Sequence, residues 1–509
     1  METRRRSAPL AIAAGLLGIL VVALVASTPA SPLQPLVPEG YGPGPLGGLS
    51  RLVGLDELSR DPLAGVGIVS MVVATAAFCW ALLEAWRGRI SLRTALLVGL
   101  ALQVLAVAVP LLFSRDVYSY AIYGRIWTVH GENPYLAVPS DFRTDGLYPL
   151  VGEEWQDTPA VYGPAFTLLS GALARVVDDP IPLITAFKVL AGVASAALLV
   201  LVAWLSRRVR PERAAFAVLL LGWNPVMLFH TVAVGHNDVL VGLAIVGALA
   251  LVYEGRNLAA TAVLAAGALV KAPALLPLVL LVAMAVAARP PGRRLREAGA
   301  HLLVAAGLFL AAAAPFLQLE DPTLGQLELA GHQGWLAPSN LFGRVSGKLG
   351  ELLAGDAGRA IGEAALRIAF PVILVVALVA IVRHVVRRAG EIGPEGLASS
   401  WAWALIVFTV CAPVLLPWYV AWTLPLAWLL PRVPRLSAIG IAVALTVSEV
   451  VAEPLRGRAI FEAMVLALHY VITPAVFVVL LWLLADLRHR LDLGVPLEAD
   501  GRQIPAGRR

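Results

Sequence analysis

Runs of about 20 apolar residues recur along the chain, the first being APLAIAAGLLGILVVALVA at 8–26. Coiled as a helix, each run matches the hydrocarbon thickness of a bilayer. A helix is also the open-ended form that satisfies every backbone N–H and C=O without water. Charged residues make up 14% of the sequence and hydrophobic ones 59%, whereas soluble domains carry roughly 25% charged residues. Mean hydropathy is +0.81. These features predict an all-α, polytopic transmembrane protein. They exclude a β-barrel, whose strands alternate apolar and polar residues over short segments. The net charge of +5 is not a nucleic-acid signal, because the basic residues fall in short clusters between apolar runs. Cys79 and Cys411 both lie inside apolar runs, which argues against a disulfide framework or zinc site.

The stretch METRRR precedes an apolar run longer than the roughly 7–15 residues of a cleaved signal, so a retained first span is expected. Spans are predicted near 8–27, 63–83, 94–113, 181–205, 214–232, 238–253, 258–270, 273–288, 299–316, 364–382, 398–414, 419–431, 436–452 and 460–484. The total is about 12–14. One set of connections, including RGRISLR at 87–93, RRVRPER at 207–213 and RPPGRRLR at 289–296, holds 25 of the 39 Lys and Arg residues. Cationic connections stay cytoplasmic, which puts both termini in the cytoplasm. Segments 258–288 and 398–431 have basic flanks at both ends, so each must enter the membrane and return, breaking at Ala272-Pro273 and between Pro413 and Pro417. Short paired helices of this kind are tolerated where they line a protein-walled cavity. Two long extracytoplasmic loops, 114–180 and 317–363, are rich in Gly, Pro, Trp and Tyr. The expected organisation is 1–93 as N-terminal spans with a first outer loop, 94–484 as the core, and 485–509 as a cytoplasmic tail.

Candidate chemistry begins in FSRDVYSYAIYGRIWTVHGENPYLAVP, from Phe113. Arg115 and Asp116 sit at the mouth of a span, where a carboxylate must be paired, hydrated or functional. An interfacial salt bridge is the structural alternative. Tyr118, Tyr120, Tyr123, Arg125, Trp127, His130, Asn133 and Tyr135 follow. Some of these anchor the interface, but rings that stack and polar edges that bond hydroxyls are also what a sugar site uses. GEEWQDTPAVYGPAFTLLS adds Glu153, Glu154, Asp157 and Tyr162, without the DxD or paired-His spacing of a metal site. The turn NPVMLFHTVAVGHNDVL brings Asn224, His230, His236, Asn237 and Asp238, of which Asp238 also suits a helix cap. Lys271, at the break of a hairpin, requires an anion, supplied by Asp116, by Asp238 or, the favoured reading, by a lipid phosphate. AGHQGWLAPSNLFG contributes His332, Gln333, Trp335 and Asn340, and LPWYVAW contributes Trp418 and Tyr419.

The ordered series SRDVYSY, GENPY, AVYGP, GHND, LVKAPALLPL and LPWYVAW resembles the GT-C glycosyltransferases. It is most similar to the actinobacterial α-1,6-mannosyltransferases that use polyprenyl-phosphate-mannose to build lipomannan and related lipoglycans. The resemblance implies an inverting enzyme on the outer face of the plasma membrane. It would move a hexose, mannose by the resemblance, from a polyprenyl-phosphate-linked donor to a glycolipid or polysaccharide acceptor. Asp116 is then the base. Arg115, Arg125, Lys271 and His236 are candidates for the donor phosphate. Tyr118, Tyr120, Asn133, Tyr135, Tyr162, Asn237, Asp238, His332, Trp335, Trp418 and Tyr419 are candidates for sugar and acceptor. An Arg-Asp pair stands where the family often has two acids, which leaves a divalent-metal requirement open; no metal ligand set is read from the residues and no other cofactor is expected. A transporter or flippase for lipid-linked sugars is the rival class. It is disfavoured because the polar residues gather on one side rather than at the midplane of two inverted repeats.

Overall fold

A computed structural model describes residues 7–29, 31–35, 44–317, 337–446, 459–492 and 497, and all regular structure among them is helical. In chain order the principal helices are α1 (Ser7–Ala26), α2 (Arg60–Trp86), α3 (Leu92–Ala108), α4 (Asp116–Thr128), α5 (Pro164–Val176), α6 (Pro180–Val209), α7 (Ala214–Gly222) and α8 (Pro225–Val232). They continue with α9 (Asp238–Tyr253), α10 (Asn257–Ala268), α11 (Leu275–Ala287), α12 (Pro291–Ala313), α13 (Pro338–Arg387), α14 (Pro394–Cys411), α15 (Arg432–Thr446), α16 (Ala459–Ala467) and α17 (Thr473–Asp492). Proline opens α5, α6, α8, α12, α13 and α14. There its missing N–H costs nothing and its fixed φ suits the first turn. Ser91 starts α3 by accepting the Thr94 N–H at 3.0 Å.

Among the described residues seven helices are long and apolar enough to cross a membrane, or eight if α7 and α8, bent by 45° at their junction, form one span. Of the five shorter apolar helices among the described residues, Leu92–Ala108, Asp238–Tyr253, Asn257–Ala268 and Ala272–Ala287 coincide with further predicted spans, and Pro164–Val176 lies in the segment expected to be a loop. The predicted span 419–431 is instead a succession of short turns, Pro417–Tyr419, Val420–Thr423 and Leu424–Leu429, because Pro417 and Pro425 interrupt the hydrogen-bond ladder. The segment read as the loop 114–180 is largely folded, with α4 and α5 packed against each other. From residue 337 the second loop is helical too, α13 leaving helical geometry at Ala354 and Gly355 so that its first arm lies back along its second. Helix α17 reaches Asp492, and the Leu497 carbonyl accepts from Ser399 Oγ and, at 3.3 Å, from Trp403 Nε1.

Two contacts position the elements around the cavity described below. The turn before α5 docks on the end of α10, where the N–H groups of Gly163 and Ala165 donate to the Val270 and Leu269 carbonyls, both at 3.0 Å. A Cβ at Gly163 would lie 2.2 Å from the Leu269 oxygen, so the Tyr-Gly-Pro turn reaches its neighbour because position 163 has no side chain. The connection between α4 and α5 is pinned by Asp145, whose buried carboxylate lies 2.8 Å from Arg125 Nε and 2.7 Å from His130 Nε2 and accepts the Leu147 N–H at 2.9 Å. Burial alone would raise this carboxyl, but the three donors outweigh it and hold Asp145 below the ordinary carboxylate value.

Gly163→Ala is expected to lower Tm by separating the turn from α10, an overpacking cost of about 1–3 kcal/mol; an unchanged Tm would refute the close approach. A carboxyl depressed on folding contributes stability above its unfolded pKa, about 3.9, and the contribution disappears as pH falls through the folded-state value. Asp145→Asn should therefore lower Tm near neutral pH and converge with the parent in acid. A gap of equal size in acid would contradict this ion pair's role.

Candidate active site

Asp116 is the first residue of α4, a helix outside the apolar spanning set. The approach to it is constrained. Phe113 adopts φ +53°, a left-handed conformation that costs a residue with a Cβ roughly 1–2 kcal/mol. It is held there by its N–H donating to the Leu33 carbonyl at 2.8 Å and by its ring stacking on His230, centroids 4.6 Å apart. His230 is fixed in turn, its Nε2 lying 2.9 Å from the Thr446 carbonyl of α15. The Asp116 N–H then donates to Ser114 Oγ at 3.1 Å, and the Asp116 side chain, 15% exposed, faces a cavity.

Lys271 reaches the same cavity from the break between α10 and α11. Its ammonium bonds both oxygens of Asp238, at 2.9 and 3.0 Å, and Asp238 is fully buried at the start of α9. The ammonium also lies over the rings of Tyr419 and Trp422, at 4.8 and 5.5 Å from their centroids, where the π faces favour a cation. These rings are brought in by a close crossing: a Cβ at Gly242 of α9 would meet the Ala421 carbonyl at 2.5 Å.

His236, in the turn between α8 and α9, joins the two halves. Its Nδ1 lies 2.9 Å from the Tyr120 hydroxyl and 3.9 Å from Asp116 Oδ2, and its ring stacks on Trp418 with centroids 3.7 Å apart. Tyr120 packs edge-on against Tyr162 at 4.7 Å. Asp116, Tyr162, Lys271, Trp418 and Tyr419 all line the cavity, which measures about 660 Å³. Its other walls are apolar, from Leu269, Leu278 and Phe408 to Leu302 and Phe309 of α12. Helix α12 is bare on its outer side, Leu302 and Phe309 being 68% and 41% exposed. A second hollow of about 580 Å³ shares Leu278, Leu302 and Ala305 and continues between α11 and α12 towards Val286 and Arg294.

Other sequence candidates lie elsewhere. Arg125 is committed to Asp145 and to the Asp178 carbonyl at 3.3 Å, so it serves the loop and not the cavity. Asn133 spans from the Phe316 carbonyl to the Tyr135 N–H, and the Tyr135 hydroxyl lies 2.7 Å from the Tyr162 carbonyl and 2.9 Å from Thr167 Oγ1. Both brace the turn, Tyr135 buried and Asn133 half-buried. Tyr118 and Asn237 are buried behind the cavity, and Arg115 is not part of its lining. His332 and Trp335 fall outside the described residues. Three contributors were not singled out from sequence: Trp155 and Trp422 in the lining, and Phe113 as the strained lead-in. Both tryptophans belong to motifs quoted above, where their neighbours drew the attention.

Burial pushes the Asp116 carboxyl up to about 6, against the opposing pull of the Lys271 charge and the Ser114 contact. A carboxylate with that value is ionised at neutral pH and basic enough to take a proton from a hydroxyl. Among the described residues no three His, Cys, Asp or Glu side chains gather as metal ligands do.

Residues 12–288 match the family described as "Alpha-(1->6)-mannopyranosyltransferase, N-terminal domain". Over 358 residues, 66% of this chain and 64% of the relative, the sequence is 30% identical to alpha-(1->6)-mannopyranosyltransferase A of Mycobacterium tuberculosis. It is 31% identical to alpha-(1->6)-mannopyranosyltransferase A of Corynebacterium glutamicum over 184 residues, 34% of this chain and 36% of that protein. The matched region thus spans less than two thirds of either relative. No solved structure matches the chain. With the family match running from within α1 to the end of α11 and covering more than half of the sequence, the chain belongs to the alpha-(1->6)-mannopyranosyltransferase family of membrane proteins.

Proposed function

We propose that this protein transfers mannose from a polyprenyl-phosphate-linked donor to a hydroxyl of a glycolipid or glycan acceptor, with inversion, at the extracytoplasmic side of the plasma membrane. One observation carries the reading: a carboxylate and an ammonium on separate elements line the polar end of one cavity whose remaining walls are apolar. A lipid-linked sugar has the matching polarity, with a charged phosphate and a hydroxylated ring at one end and a long hydrocarbon at the other. The family membership supports the sugar and the chemistry, and it favours transfer over the rival transport reading.

Asp116 accepts the proton of the acceptor hydroxyl as its oxygen attacks the anomeric carbon. The bond from that carbon to the phosphate oxygen breaks, and its electron pair leaves with the phosphate. Lys271 meets the charge on the departing group: an ammonium has three N–H donors, and its bonds to the single Asp238 carboxylate leave capacity facing the cavity. Pre-aligned charge of this kind lowers the barrier because it needs no reorganisation during reaction. His236 is a positioning residue, buried between Tyr120 and Trp418 and holding the wall next to Asp116. Tyr162, Trp155, Trp418 and Tyr419 supply ring faces for the sugar, and the hollow between α11 and α12 receives the hydrocarbon.

Asp116→Asn should reduce turnover by about 10²–10⁴-fold in an assay with radiolabelled polyprenyl-phosphate-mannose, while donor binding persists. In the parent, kcat/KM should rise with pH through about 6, because only the ionised carboxylate is a base; retained turnover in the variant, or a flat profile there, would remove the assignment. Lys271→Met should weaken donor binding about tenfold or more, and because it strands the Asp238 charge it is paired with Lys271→Met/Asp238→Asn. The double variant is expected to recover Tm but not donor affinity. Parental affinity in the double variant would return Lys271 to a purely structural role.

A further inference from the structure

At the end of the bundle remote from the cavity, two cations share one indole. Arg213, just before α7, has its guanidinium carbon 3.3 Å from the centroid of Trp86, the last residue of α2. The guanidinium carbon of Arg435, in the first turn of α15, is 4.2 Å from the same centroid. Each is tethered by a single backbone acceptor, Arg213 Nη1 to the Trp86 carbonyl and Arg435 Nη1 to the Leu430 carbonyl, both at 3.1 Å. Phe216 closes the indole edge-on at 5.0 Å. The location follows from the helices: α15 runs from this cluster to Thr446, which contacts His230 near the site, a rise of about 22 Å.

The charges here do not balance. Arg210 is neutralised by Glu395 at 2.6 Å, and Glu84 on α2 is taken by Arg87 and Arg89 at 3.0 and 2.9 Å. Glu212 is exposed. Among the described residues, Arg213, Arg435 and the exposed Arg432 form no ion pair with a carboxylate. Two half-buried guanidinium groups within about 8 Å of each other repel, and the indole faces compensate only in part. An anion able to accept several N–H bonds at once would relieve this repulsion, and phosphate is the best match. Trp86 ends the apolar, span-length helix α2, and basic recesses at the ends of spanning helices bind anionic headgroups.

We propose that Arg213, Arg435 and Arg432, arranged about Trp86, form a binding site for the phosphate of an anionic phospholipid, separate from the cavity that holds Asp116. The test uses the full chain in neutral detergent, titrated separately with phosphatidylglycerol, phosphatidylcholine and inorganic phosphate. It reads Tm and, for the lipids, retained adducts by native mass spectrometry. Phosphatidylglycerol should raise Tm and remain bound, phosphatidylcholine should do neither, and R213Q/R435Q should weaken the phosphatidylglycerol response about tenfold or more. A rise with inorganic phosphate that is lost in the same variant would also support the site, and would assign its affinity to the phosphate without the lipid tails. Equal responses to the two lipids, or a variant that responds like the parent, would overturn the proposal. If R213Q/R435Q does not fold, R432Q, at an exposed position, must weaken phosphatidylglycerol binding, and a parental response there overturns it equally.

Discussion

The ion pair between Lys271 and Asp238 is the constraint around which the site is arranged. Asp238 is fully buried, and a buried carboxylate persists as an ion when its partner is close and well oriented, as Lys271 is at 2.9 Å. Removing one member of such a pair costs about 3–5 kcal/mol, so α9 and the break between α10 and α11 are bound to each other. The rest follows from that junction. The turn before α5 docks on the carbonyls that precede Lys271, the Val420–Thr423 turn crosses α9 at Gly242, and Tyr419 and Trp422 cover the ammonium. Asp116 enters from a different direction, at the start of a helix whose approach is strained at Phe113. An ammonium and a carboxylate thus meet in one cavity without being neighbours in sequence.

The cavity is asymmetric in a way that suits its proposed substrate. Asp116 and Lys271 supply its charged groups, while Leu302, Phe309 and the adjoining hollow along α11 offer hydrocarbon contacts. Short, broken helices make this possible. The break between α10 and α11 carries Lys271 to Asp238, and the short turn Pro417–Tyr419 seats Trp418 against His236.

Much of this was legible in the sequence, for physical reasons. Apolar runs and clustered arginines report the helices because membrane burial leaves few alternatives. The prolines at 273, 413 and 417 report the breaks because a missing N–H is an unambiguous local event. Asp116, His236 and Lys271 stood out because ionisable groups are rare in such a chain, and the structure gathers them. Partner choice was not legible. Nothing local distinguishes Arg125, which serves Asp145 twenty residues on, from an arginine that serves a ligand, nor Tyr135, a brace for the Tyr162 turn, from a sugar-stacking ring. Phe113 was likewise invisible, because its strain comes from Leu33 and His230, contacts distant in sequence.

The account rests on one placement: the phosphate of a lipid carrier sits at Lys271 with its hydrocarbon between α11 and α12. A cryo-electron microscopy structure of the protein with polyprenyl phosphate bound tests this directly. The predicted density has the phosphate within hydrogen-bonding distance of Lys271 Nζ and the chain passing Leu278 and Leu302. Density for the phosphate at another surface, with Lys271 still engaged only by Asp238, would contradict it.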